Sequence, residues 1–344
     1  MKRLARIPGM KIWSMLFIFG SMLGSCEVLS EEEEDCAVYV RFRYDMNMEF
    51  TDAFQHAVNS VTLYAFDKDG VLAFQKTEEG ELLKEDGYRM RLDEISHTER
   101  ADNDFITWAG EPDNESFSIP VLTVGKHTKQ DLICQLNRAG DGVVDDNLDN
   151  LFHGQVDDLT FGGRSAQPGV DIVVPLVKNT NSIRIVLQEV SGEPLDVNDF
   201  HFSVTDKNGK MNYDNTLMED ELLTYKAWHR GNGHAGLDEG QVNQDALTEI
   251  NVAIAELTTA RLMADMEPIL TITRVEDGEQ VLSIPLVKAA LLYKREKYRD
   301  MPEQEYLDRE DEYNFTFFLQ EGKWISSSII INSWRVVYQE SDLN

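Results

Sequence analysis

Asn59-Ser-Val-Thr-Leu-Tyr-Ala-Phe66, Asp67-Lys-Asp-Gly70 and Val71-Leu-Ala-Phe-Gln75 follow one another without a break, and the fold is read from them. The first run is rich in β-branched and aromatic residues, the side chains that pack best on a pleated surface. The Asp-Gly pair supplies a residue that reaches positive φ without strain, and the apolar alternation resumes after it. Strand, tight turn and strand make this the strongest hairpin signal in the chain. Upstream, residues 36–44 place Val38, Val40 and Phe42 on one side and Tyr39, Arg41 and Arg43 on the other, the period of a half-buried strand. Residues 47–58 have mixed spacing and predict a short helix or an irregular crossing.

Downstream, the same reasoning predicts strands at 105–109, 116–121, 171–177, 182–187, 200–205, 251–257, 269–275, 281–287, 313–319 and 324–338. Asn208-Gly209 and Asp277-Gly278 mark two further hairpins. Helical signals are confined to 126–138 and 288–299. Many short strands with no alternation of strand and helix predict an all-β protein of antiparallel sandwiches. Ser118-Ile-Pro-Val121, Val173-Val-Pro-Leu176 and Ser283-Ile-Pro-Leu286 each put proline in an extended run. Proline cannot donate to a ladder, so these belong at edges, strand ends or bulges. The echo fits two similar modules, and we divide the body into 36–176 and 177–344.

The 344 residues carry 62 acidic and 32 basic side chains, a net charge of −30, with 42% hydrophobic residues. That is enough apolar material for real cores. A surface this acidic repels phosphate backbones and excludes nucleic acid as a partner. The basic residues that do occur early, Lys2, Arg3, Arg6 and Lys11, precede an apolar run from Ile12 to Leu23. This is the pattern of an export signal over 1–25, too short to span a bilayer comfortably. It ends in Leu23-Gly24-Ser25-Cys26, which resembles the bacterial lipobox and makes Cys26 the expected acylation site. Losing residues 1–25 would take the charge from −30 to −34, since that segment holds four basic residues and no acid. Glu31-Glu-Glu-Glu-Asp35 follows, and self-repelling acids with no apolar side predict an extended tether over 26–35.

Chemistry is sparsely signalled. Cys36 and Cys134 could form one disulfide in an oxidising compartment, although the sequence cannot show that they meet. Trp228-His-Arg-Gly-Asn-Gly-His-Ala-Gly-Leu-Asp-Glu-Gly240 reads as a long loop. Its His229, His234, Asp238 and Glu239 match no zinc arrangement, so a solvated loop is the better account. Asp145-Asp-Asn-Leu-Asp-Asn150 lacks the glycine and terminal glutamate of a calcium loop, and a plain turn is expected. No nucleophile elbow, phosphate-binding glycine loop or Cys-x-x-Cys occurs. Acids are too numerous to nominate a glycosidase pair. The reading is non-enzymatic, with no catalytic residues, metal or cofactor, and open strand edges offer a means of attachment.

Several stretches are specific. Val40-Arg-Phe-Arg-Tyr-Asp-Met-Asn-Met48, Asp52-Ala-Phe54, Val61-Thr-Leu-Tyr-Ala-Phe-Asp67, Phe105-Ile-Thr-Trp-Ala-Gly110, Leu151-Phe-His-Gly154, Leu176-Val-Lys-Asn-Thr-Asn-Ser-Ile-Arg-Ile-Val-Leu187 and Ile331-Asn-Ser-Trp-Arg-Val336 resemble the FimB/Mfa2 family of fimbrial anchor subunits from Bacteroidales. The resemblance spans nearly the whole expected mature chain, in order. It implies two tandem transthyretin-like antiparallel β-sandwich domains and a lipoprotein at the base of a surface fimbria. It also implies attachment to the outer membrane through acylated Cys26, a terminal fimbrial shaft subunit as partner and a role in fimbrial length. The acidic run and the absence of Asp after Cys26 agree with an outward-facing outer-membrane location. Of the motif residues, Tyr44, Asp45 and Trp108 are expected to define the fold, Trp108 as core. The 228–240 stretch matches no family feature, and its aromatic Trp228 leaves a second reading, a surface glycan-binding lipoprotein of a polysaccharide-capture system.

Overall fold

The computed structural model describes residues 38–92, 101–160, 171–235, 250–331 and 334–336. In its first half the chain forms β1 (Val38–Arg43), α1 (Phe54–Ala57), β2 (Ser60–Phe66), β3 (Leu72–Glu79), β4 (Met90–Leu92), β5 (Ala101–Gly110) and β6 (Phe117–Ser118). It continues through β7 (Cys134–Leu136), β8 (Val143–Val144), β9 (Leu151–Thr160) and β10 (Asp171–Lys178). The second half holds β11 (Thr180–Glu189), β12 (Phe200–Asp206), β13 (Lys210–Met211), β14 (Leu223–Lys226), β15 (His229–Ala235) and β16 (Ile250–Ala260). Then come β17 (Ile269–Arg274), β18 (Gln280–Pro285), α2 (Leu286–Lys297), α3 (Glu303–Arg309), β19 (Glu312–Gln320), β20 (Lys323–Ile331) and β21 (Trp334–Val336).

The hairpin forms as expected. Asp67 Oδ1 accepts from the N–H groups of Asp69 and Val71, and Gly70 sits at φ 74°, so β2 and β3 pair antiparallel from Ser60 opposite Glu79 to Phe66 opposite Leu72. β2 is not half-buried, however. Leu63, Tyr64, Ala65 and Phe66 are all buried, because the seven-stranded sheet β3-β2-β5-β9-β10-β1-β4 is covered on both faces there. On one face Val61, Leu63 and Ala65 join Phe105, Phe152 and Phe42 in a core closed by α1. Asp52 Oδ1 starts that helix by accepting from the Phe54 N–H, and Phe54 stacks between Phe42 and Tyr88 at 5.7 and 5.9 Å. On the other face Tyr64, Phe66, Ile106 and Trp108 enter a second core that continues into the other half of the molecule.

That second core is a sandwich. The six-stranded sheet β15-β16-β11-β19-β20-β21 faces the five-stranded sheet β18-β17-β12-β14-β8, with Ile185, Leu187, Phe315 and Phe317 meeting Phe202, Val204, Leu270 and Ile272. Each such side chain contributes about 1.5–3 kcal/mol on burial. The all-β expectation stands, with a correction to its antiparallel part: β1–β10, β11–β19 and β14–β8 pair in parallel. Such pairings need long crossovers, which strand-by-strand periodicity does not register.

The predicted 126–138 helix is also corrected. Thr128 and Asp131 form a capping box around a short 3₁₀ turn at Lys129–Asp131, but Leu132, Cys134 and Leu136 then alternate, and β7 is taken up by β6 and β13. Pairing partners outweigh the weak local preference. The 288–299 helix is present as α2, beginning directly after Pro285, whose φ of −66° suits a helix start; the 281–287 strand therefore ends at Pro285. The 116–121 strand shrinks to β6, and β9, β14 and β15 arise where no strand was expected. Leu176 and Val177 both lie inside β10, and the chain passes between the two large sheets at Asn179.

Candidate functional site

Two sheets mix strands from either side of residue 176: β13 joins β7 and β6, and β8 edges the five-stranded sheet beside β14. Around these pairings lies a network of buried amides. Asn179, between β10 and β11, donates from Nδ2 to Asn215 Oδ1 at 2.7 Å and accepts from Asn215 Nδ2 at 3.1 Å. Asn181 donates to the Ala260 carbonyl. Asn208 donates to the carbonyls of Ala260 and Arg261 and accepts from the Tyr225 hydroxyl at 2.6 Å. Arg261 holds Asp308 through two bonds of 2.8 Å and reaches the Asn215 carbonyl. Buried donors and acceptors that are all matched specify one arrangement, because any other leaves a desolvated group unpaired.

Three more links tie the seven-stranded sheet and its loops to the chain that follows β10. Lys178 pairs with Asp311 at 2.6 Å. Arg309, ending α3, donates to the carbonyls of Asp45 and Asn47 and lies over the Phe50 ring at 4.5 Å. His153 of β9 donates from Nε2 to the Tyr213 carbonyl at 2.8 Å and packs edge-on against Trp108. Burial pulls the His153 pKa down to about 4, assisted by Arg261, while the Tyr213 bond and Asp214 oppose the shift; the ring is neutral at physiological pH. The motifs Tyr44-Asp45-Met-Asn47 and Lys178-Asn-Thr-Asn181 are thus the two sides of this junction. Trp108 is core, 2% exposed.

The remaining candidates separate. Cys26 and Cys36 lie outside the described residues. Cys134 is a fully buried free thiol in the core shared with the second half, whereas Val38, two residues beyond Cys36, packs on the other one. The expected loop at 228–240 is a strand as far as Ala235: β15 pairs with β16 from His229 opposite Glu256 to Ala235 opposite Ile250. His229 and His234 are therefore strand residues, and Asp238 and Glu239 lie outside the described residues. Asp149 serves structure, accepting from the N–H groups of Glu115 and Ser116 and the Ser116 hydroxyl. Among the described residues no group of three His, Cys, Asp or Glu side chains could hold a metal, and no helix is long and apolar enough to cross a membrane.

Comparison with known proteins places this architecture. A structure from Bacteroides thetaiotaomicron described as a candidate polysaccharide-binding protein is 30% identical, superposes with a TM-score of 0.75 and covers 90% of this chain and 100% of its own. A candidate adhesin from the same organism is 34% identical, with a TM-score of 0.75 and coverage of 88% and 97%. The fimbrial anchor protein Mfa2 of Porphyromonas gingivalis shares the fold at 16% identity, with a TM-score of 0.62 and coverage of 88% and 99%. No curated protein sequence matches. The model of the fimbrillin-A associated anchor proteins Mfa1 and Mfa2 matches residues 32–340, and the chain belongs to that family.

Proposed function

We propose that this protein is a non-enzymatic subunit that holds a fimbria to the outer membrane at its base, contributes to setting its length and so supports adhesion. The observation that carries the reading is the junction. A molecule pulled between membrane and filament must not come apart at its middle, and here shared strands and the Arg309 and His153 contacts bridge the halves, while an ion pair and matched amides pin the passage from β10 to β11. The two halves, taken as residues 36–176 and 177–344, act as tandem transthyretin-like sandwiches. Residues 1–25 are removed on export and acylated Cys26 holds the chain in the outer leaflet, with residues 26–35 as leash. Each buried CH₂ of the lipid contributes about 0.8 kcal/mol, so several chains anchor where one would release. Family membership and the shared fold of the Porphyromonas gingivalis anchor support this role, and the partner is the terminal shaft subunit.

Deletion of the gene in its native host tests the proposal. Fimbriae should appear in the culture medium with shaft-subunit expression unchanged, and a Cys26→Ala copy should fail to restore retention. Fimbriae that stay on the deleted strain at normal length would refute it.

A further inference from the structure

We infer that a trough running from Trp228 to Arg138 binds an uncharged polysaccharide chain, a function separate from fimbrial attachment. Three adjoining cavities of about 240, 520 and 660 Å³ make the trough. The first shares Ser182 and Thr258 with the second, and the second shares Asp113, Asn147 and Asp149 with the third. Each larger cavity alone falls in the roughly 300–1,000 Å³ range of a small-ligand pocket, so three in a row suit a polymer.

At one end Trp228 is 40% exposed while its backbone N–H is held by the Glu256 carbonyl. This gives an aromatic surface beside the half-exposed Arg184–Glu256 pair, whose charged groups are 3.8 Å apart. An indole face covers the C–H side of a sugar ring, and carboxylates, amides and guanidinium groups meet its hydroxyls, which both donate and accept. In the middle cavity the Thr258 hydroxyl donates to Asn147 Oδ1 at 2.7 Å, setting that amide in place.

Charge and topology select the ligand. Eight carboxylates line the trough against two guanidinium groups, Arg138 and Arg184, and Arg138 is already bound to Asp220 through bonds of 2.6 and 2.7 Å. Such a lining repels uronate and sulfate polymers. A polypeptide adding a strand would need an open ladder. Here the trough crosses the face of β16, β11 and β19, where β11 is paired on both sides, so its backbone has nothing to offer a peptide.

The test measures binding of the full chain, kept in detergent, to galactomannan, xyloglucan and yeast mannan, with polygalacturonate and polylysine alongside. At least one neutral polymer should bind. Trp228→Ala should weaken it by about tenfold or more and Arg184→Ala by less, with thermal midpoints unchanged, and polygalacturonate should not bind. Should Trp228→Ala fail to fold, Trp228→Phe and Arg184→Ala carry the test. Failure of all three neutral polymers, neutral binding indifferent to the variants, or binding of polylysine alone would overturn the inference.

Discussion

Asn179 and Asn215 bind each other through both amides, at 2.7 and 3.1 Å, although they are 36 residues apart and neither is more than 6% exposed. Asn215 does so from φ 64°, a left-handed conformation that asparagine tolerates better than most residues. The pair sits where β10 hands the chain to β11, so losing it loosens the joint between the two large sheets.

Asn179→Ala should therefore destabilise the protein by about 2–3 kcal/mol, since it strands a buried amide as well as removing a bond. The double variant Asn179→Ala/Asn215→Ala should cost less than the sum of the singles by about 1 kcal/mol. Urea unfolding of the four proteins gives the coupling; strict additivity would mean the pair does not act as a unit.

His153 predicts an acid-sensitive junction. Its pKa in the folded protein is about 4, below the unfolded value of about 6.5, so the unfolded chain binds the proton more readily. Its contribution is complete above about pH 6.5 and is lost as pH falls through 4, amounting to about 3 kcal/mol across that window. Comparing the melting of the wild type and His153→Gln between pH 7 and pH 4 isolates it, since other groups titrate in both. The gap between them should narrow on acidification, and parallel curves would contradict the assignment.

Gly154 is needed for close approach. A Cβ there would lie 2.7 Å from Leu176 Cδ2, the Pro175 carbonyl oxygen and Val174 Cγ1, and the backbone oxygen cannot rotate away. Gly154→Ala should cost about 1–3 kcal/mol by overpacking, read from the urea midpoint. A variant as stable as the parent would show that β10 yields easily.

Cys134 should be inert while the protein is folded. It is fully buried and burial pushes its thiol far above the ordinary range, so a thiol-specific reagent should label it only after denaturation. Peptide mapping without reductant should find it as a free thiol. A Cys36–Cys134 cystine peptide would be the opposite result.

The site was partly legible. Residues 40–48 and 176–187 stand out in the sequence, yet their use as two sides of a junction needs Arg309 and Asn215, which no local pattern links to them. β15 was missed because Gly231 and Gly233 have poor strand propensity. The faint signal was their alternation with Arg230, Asn232 and His234; at Gly233 the glycine gives close packing, since a Cβ there would lie 2.6 Å from Ile254 Cδ1. Trp228 was noticed as an aromatic, but the trough it heads is assembled from segments more than 100 residues apart.

What the sequence determined by itself is what a few neighbouring residues can encode. Alternation and an Asp-Gly turn set β2 and β3, and acid composition set the sign of the surface. Tertiary structure alone decided the parallel pairing of Val40 with Ile172, the pairing of β7 with β13 and of β8 with β14, and the burial of β2 on both faces. Those depend on which apolar surfaces meet after the chain has turned many times, and burial of the matching faces, not any local preference, sets the partner and the register.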